Sequence, residues 1–249
     1  MLEILIGLAG GILIGATGAG AGLLVTPVLI LAGYRPMVAV GAGMGTLLVS
    51  KAVGALELRS LGARPERSGW LVIGGGVAGA ILGSLLATRL MGLNLVSDSH
   101  LRIAIGIVLL LSAAAATWAS GRDDRPASAA RLTNAPLLFG VGFIVAVIVS
   151  ITSAGSGGLL VPLLLVGQSA RIPQLVATSS VFGSIVGALS LGLHWSLFSL
   201  DLPLLGLLLA GLIPGVVAGA YLSRRISRTF LVWAVHMLGI SFGAALLVV

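Results

Sequence analysis

Residues 17–22 read TGAGAG and residues 152–157 read TSAGSG. Each patch interrupts a long hydrophobic run, Leu2 to Leu31 in one case and Pro136 to Val166 in the other. Six contiguous small or hydroxylated side chains weaken a helix at almost every position. A straight helix through either run would also be about 45 Å long against a hydrocarbon core of about 30 Å. The patches therefore mark breaks, and how the chain leaves each break decides the fold.

The surroundings of the breaks fix the class. With 58% hydrophobic and 8% charged residues and a mean hydropathy of +1.18, the chain carries more apolar surface than one soluble core could hide. An all-α, polytopic membrane protein is expected. The N-terminus lacks the Lys or Arg of a secretory signal, and its apolar character runs on to Leu31, so it is read as part of the fold. No cysteine is present, which removes disulfides, thiolate metal sites and thiol catalysis, and no cofactor is expected. The formal charge of +7 sits in short loops between apolar runs, where membrane topology explains it and nucleic acid does not.

Eight apolar segments are arranged as four, a polar linker, and four more. After Leu2–Leu31 come Val38–Leu58, Trp70–Leu90 and Leu101–Trp118; after the linker come Pro136–Val166, Pro173–Leu193, Pro203–Ser223 and Phe230–Val249. A shift of 135 lays Thr17, Ala19, Gly20, Gly22 and Pro27 on Thr152, Ala154, Gly155, Gly157 and Pro162. The same shift lays Gly7, Gly11 and Gly15 on Gly142, Ala146 and Ser150, and a shift of 136 lays Gly75, Gly79 and Gly83 on Gly211, Gly215 and Gly219. The order at a nearly constant offset predicts an internal duplication: residues 1–119, a linker at 120–135, and residues 136–249.

Charge orients the two copies. If each broken run crosses once, Arg59, Arg64, Arg67, Arg122, Arg125 and Arg131 lie inside, while Arg35, Arg89, Arg102, Arg171, Arg224, Arg225 and Arg228 lie outside, a near balance. If each broken run is a hairpin that returns to its own side, the copies are inverted and only Arg35, Arg89 and Arg102 remain outside. The excess of Lys and Arg on cytoplasmic loops selects the second arrangement. The expected fold is two inverted repeats, each a re-entrant helical hairpin plus three transmembrane helices. It lies in the cytoplasmic membrane with both termini outside and the linker in the cytoplasm.

Broken helices in inverted repeats are where secondary transporters build their sites. Irregular backbone survives at membrane depth only if it is buried in protein or lines a polar cavity, so the tips are expected to face inward. At each tip a new helix begins toward Pro27 or Pro162, and its first amides lack an intrahelical acceptor, a setting suited to an oxyanion. The expected substrate contacts are Thr17, Gly18, Ala19, Gly20 and Gly22 at one tip. At the other they are Thr152, Ser153, Ala154, Gly155, Ser156 and Gly157, the glycines allowing close approach and the hydroxyls adding donors. The competing account makes both patches packing surface with no ligand. The glycines spaced four apart are assigned to packing seams between helices, the alternative being contact between two copies in a homodimer.

Lys51 is the one charge well inside a span. It either snorkels to the cytoplasmic interface or acts on an anion along the path. Thr178, Ser179 and Ser180 either extend a polar pathway or bond back to their own helix.

The glycine-rich patch followed by LLV and proline, twice over as TGAGAGLLVTP and TSAGSGGLLVP, then RP or RIP, then ATSS at 177–180, resembles the sulfite exporter TauE/SafE family over essentially the whole chain. The first copy departs from this pattern, reading GAGM at 41–44. The resemblance implies transport of sulfite, sulfonates or related small sulfur anions across the inner membrane, usually as export. A passive anion channel would use the same tips without saturation. A membrane-embedded enzyme has no carboxylate pair, histidine cluster or activated nucleophile to support it.

Overall fold

The computed structural model describes residues 1–17, 21–93, 95–120, 134–167, 172–195, 201–222 and 228–248. Among these residues the chain is all helix and turn. The helices are α1 (Leu2–Thr17), α2 (Val25–Leu31), α3 (Pro36–Ser60), α4 (Arg67–Gly92) and α5 (Asp98–Ser120). They continue with α6 (Ala135–Thr152), α7 (Leu160–Gly167), α8 (Ile172–Trp195), α9 (Leu202–Leu222) and α10 (Arg228–Val248), and a short 3-10 turn (Ala21–Leu23) precedes α2. Six helices are long and apolar enough to cross a membrane. Their outward positions are apolar too: Leu82, Leu85 and Leu86 on α4, Ile103, Ile107 and Leu111 on α5, and Ile213 and Val217 on α9 are exposed. A surface of that kind is stable against lipid and not against water.

Both long hydrophobic runs are broken at the patches. The first helix of each run has 16 or 18 residues and the second only 7 or 8. At about 1.5 Å per residue, α1 and α6 reach about 24 and 27 Å, most of the hydrocarbon thickness. In the first run the chain then doubles back. Gly10 of α1 lies against Val25, the first residue of α2. The Tyr34 hydroxyl, past the end of α2, donates to the Glu3 carboxylate at 2.9 Å, so the two ends of this run meet. That bond and the Glu3 charge push the Tyr34 hydroxyl above its ordinary pKa.

The spaced glycines are seams between helices, as their period predicts. Gly7, Gly11 and Gly15 of α1 face the Leu208, Leu212 and Val216 carbonyls of α9 in turn. Gly211, Gly215 and Gly219 of α9 face the Ile4, Leu8 and Ile12 carbonyls. Residue numbers rise together, so α1 and α9 run parallel with backbone against backbone, and any Cβ along the seam would strike a carbonyl. A second seam joins α4 to α6: Gly75 and Gly79 face the Phe139 and Phe143 carbonyls, and Gly142 faces that of Val72. These helices are parallel as well.

At the centre, α3 and α8 cross in opposite directions, with Gly183 against the Lys51 stem and Gly187 against the Leu48 backbone. On the flank, α5 and α10 are also opposed, Gly106 facing the Gly243 carbonyl and Gly243 that of Gly106. The apolar core gathers around the central pair, where Met44, Leu47 and Phe182 are fully buried. Phe182 fits only because Gly76 of α4 has no side chain.

Candidate functional site

The two tips meet inside the protein. Gly22, in the 3-10 turn after the first break, lies against the Ser153 carbonyl, and a Cβ built on it would come within 3.1 Å of the Ala154 Cα. One turn later, the Thr26 hydroxyl of α2 sits 2.6 Å from the Ser153 hydroxyl. Each hydroxyl also has a carbonyl within reach, Thr152 at 2.6 Å for Ser153 and Ala39 at 3.5 Å for Thr26, so either can donate across the junction. Gly43 of α3 backs both hydroxyls, and a side chain there would displace them. The GAGM departure at 41–44 therefore has a steric cause: glycine at 43 makes room for the junction of the tips.

The second tip is the better defined. After α6 ends at Thr152, Ser153 adopts a left-handed conformation at φ 58°, which costs a non-glycine residue about 1–2 kcal/mol. Its amide bond to the Val149 carbonyl at 2.6 Å and its buried hydroxyl bonds offset this. Gly155 follows at φ 105°, a conformation open to glycine alone at little cost. The chain then turns through Ser156, Gly157 and Gly158, and Leu159 closes onto the Gly155 carbonyl at 2.9 Å to start α7. Among the described residues, the amides of Gly155, Ser156, Gly157 and Gly158 make no backbone hydrogen bond. The Ser156 hydroxyl, 1% exposed, has no partner either. Gly155 and Ser156 are buried and Gly157 and Gly158 partly so, and buried donors without acceptors are costly, so the row describes a place where an acceptor belongs. Successive backbone amides in such a turn form an anion-binding concavity.

Lys51 reaches this tip. It is 2% exposed, and its ammonium donates to the Ser179 hydroxyl at 3.5 Å, while that hydroxyl donates to the Ser156 carbonyl at 2.9 Å. Snorkelling toward the end of α3 is therefore not the conformation observed, because Gly183 opens a slot for the stem across α8 and Ser179 meets its head. A positive charge lies two hydrogen bonds from the turn.

The threonines behave otherwise than as free donors. Thr17 donates to the Leu13 carbonyl at 2.6 Å, Thr152 to that of Ile148 at 2.7 Å and Thr178 to that of Gln174 at 2.8 Å. Each is a back-bond to the carbonyl four residues earlier in its own helix, which a threonine hydroxyl reaches without leaving the helix surface. Thr152 keeps a second role, accepting from the Ala154 amide at 3.3 Å. Ser180 is buried beside Gly54. Ala154 is fully buried and Gly157 partly so. Gly18, Ala19 and Gly20, expected as contacts at the first tip, lie outside the described residues. The expectation that a helix begins at each tip also needs correction. A 3-10 turn precedes the seven-residue α2, and in the second copy an open turn separates the patch from α7.

Four contributors escaped the sequence reading. Thr26 and Gly43 find partners in Ser153, more than 100 residues away. Ser190 donates to Ser150 at 2.8 Å between α8 and α6. Ser112 of α5 lies against Gly158. Only Thr26 carried a signal, as the lone hydroxyl in the run from Leu23 to Ala32.

Residues 3–246 match the family described as Sulfite exporter TauE/SafE. A protein of Bacillus subtilis (strain 168), named "Probable membrane transporter protein YjnA", is 30% identical over 234 residues, an alignment that covers 90% of each chain. The apolar outer surface, the six helices able to span a membrane and this match over almost the full length agree: the chain is a multi-pass membrane protein of the sulfite exporter TauE/SafE family of transporters.

Proposed function

We propose that this protein is a secondary transporter that exports small sulfur oxyanions, sulfite or an organosulfonate, across the cytoplasmic membrane through a site at the junction of two re-entrant hairpins. The observation that carries this reading is the turn at 155–158, with unbonded amides and a buried, unpartnered Ser156 hydroxyl, set against the first tip and linked to Lys51 through Ser179. The donors are mostly neutral. An anion held by dipoles and one remote charge is bound selectively yet released, as transport requires.

Inverted repeats account for the packing. Under the 135-residue offset α1 corresponds to α6 and α4 to α9, so the two glycine seams, α1 on α9 and α6 on α4, are the same contact made twice. The corresponding helices α3 and α8 run in opposite directions, as do α5 and α10, which is the relation expected of copies turned over by a two-fold axis in the membrane plane. The Tyr34 to Glu3 bond supports a hairpin that returns to its own side. With that topology most arginines lie in the cytoplasm, both termini lie outside, and the inside-negative potential itself drives anions outward. A permanently open channel is disfavoured by the direct contact of Gly22 and Thr26 with Ser153, which closes the junction.

The test is flux in proteoliposomes against sulfite, sulfoacetate, sulfate and chloride, with and without a pH gradient. Saturable movement of sulfite or the sulfonate, little affected by excess chloride, is expected. Unsaturable chloride current would favour a channel, and no movement of any sulfur anion would overturn the substrate assignment.

A further inference from the structure

The second tip has a neighbour that neither the repeat nor the glycine-rich patch points to. Ser112, on the third turn of α5 from its cytoplasmic end, is 1% exposed, and its hydroxyl has no partner. It packs on Gly158: a Cβ built there would come within 2.8 Å of the Ser112 Cβ and 3.0 Å of its hydroxyl oxygen, with Leu23 of the first tip on the other flank. The Ser112 hydroxyl thus borders the same turn whose amides at 155–158 are unbonded, and the Ser156 hydroxyl in that turn is equally without a partner. Two buried unsatisfied hydroxyls beside one row of unsatisfied amides are a costly arrangement for an apolar interior. A single acceptor-rich ligand would satisfy them together.

We propose that Ser112 is a further substrate-binding residue, its hydroxyl donating to an oxygen of the bound oxyanion on the face of the 155–158 turn turned toward α5. This rests on the oxyanion reading above and names the residue that completes it. The duplication offset places Leu247 or Val248 at the corresponding position of α10, so the donor exists on one side only. Lys51 has the same one-sidedness, its counterpart falling near Gly187. Both serve the second tip, which makes it the end that recognises the anion's oxygens.

The experiment compares wild type, Ser112→Ala and Ser84→Ala in sulfite flux and in thermal unfolding with and without sulfite. Ser84 is a second buried serine with an unpartnered hydroxyl, on α4, and it controls for the mere loss of such a group. A hydrogen bond to a charged ligand is lost in Ser112→Ala, so KM should rise about tenfold or more while unliganded Tm stays level or rises, and the sulfite-induced rise in Tm should shrink. Ser84→Ala should keep the wild-type KM. An unchanged KM in Ser112→Ala, or an equal rise in both variants, overturns the assignment of Ser112 while wild-type flux still stands. Wild-type vesicles that move no sulfur anion overturn the oxyanion reading and this inference with it.

Discussion

Lys51 illustrates how much one side chain's direction matters. Its place in the sequence was compatible with a head group at the interface or one in the interior. The choice was made by residues the helix position does not reveal, Gly183 clearing a path and Ser179 ending it. If its charge stabilises a bound anion, Lys51→Met should raise KM for sulfite by about tenfold or more with a smaller change in maximal rate, measured by initial rates of uptake. Lys51→Arg should not restore affinity, since a planar guanidinium does not fit a slot shaped by an unbranched stem against Gly183. Affinity unchanged in Lys51→Met would remove the lysine from the site. The threonines teach the converse. Thr17, Thr152 and Thr178 stand where hydroxyl donors were expected, yet each hydroxyl donates to the carbonyl four residues earlier in its own helix, an acceptor always within reach of a helical threonine.

At the scale of elements, the glycine spacing was the most legible feature of the chain. A four-residue period encodes a stripe, and the stripe encodes backbone approach, so both seams could be read before their partners were known. Replacing Gly79 or Gly211 by Ala would gain up to about 1 kcal/mol in helix propensity. The new methyl would, however, meet the Phe143 or Ile4 carbonyl, which cannot withdraw without parting the helices. The net effect expected is a loss of about 1–3 kcal/mol, seen as a lower unfolding temperature in detergent, whereas Gly140, with open space at its Cβ, should tolerate alanine. The breaks were legible in their placement, since α1 and α6 end at Thr17 and Thr152, the first residue of each patch. What the chain does after the break was not, because it depends on bonds such as that between the Ser153 and Thr26 hydroxyls, which lie 127 residues apart. Likewise Gly43 and Ser112 carry no pattern of their own, because their partners lie on another element.

For the whole molecule, the seams have a mechanical consequence. Each long hairpin helix is locked, backbone to backbone, to a helix from the opposite part of the chain: α1 to α9 and α6 to α4. In the proposed mechanism these two exchanged assemblies are the units that move apart. Among the described residues, what joins them at the tips is small: Gly22 resting on Ser153, Leu23 beside Gly158, and the Thr26 to Ser153 hydrogen bond. A hydrogen bond of that kind contributes only about 1 kcal/mol net, so it can break in every transport cycle. In the proposed mechanism the junction of the tips is both the anion site and the gate, and carriage of an anion requires that Thr26 and Ser153 separate. The natural chain contains no cysteine, so a pair introduced at these positions has no competitor. The decisive measurement is sulfite flux by Thr26→Cys/Ser153→Cys in proteoliposomes, oxidised and then reduced. Flux abolished by the cross-link and recovered on reduction is the predicted result; undiminished flux with the disulfide demonstrably formed would contradict the account.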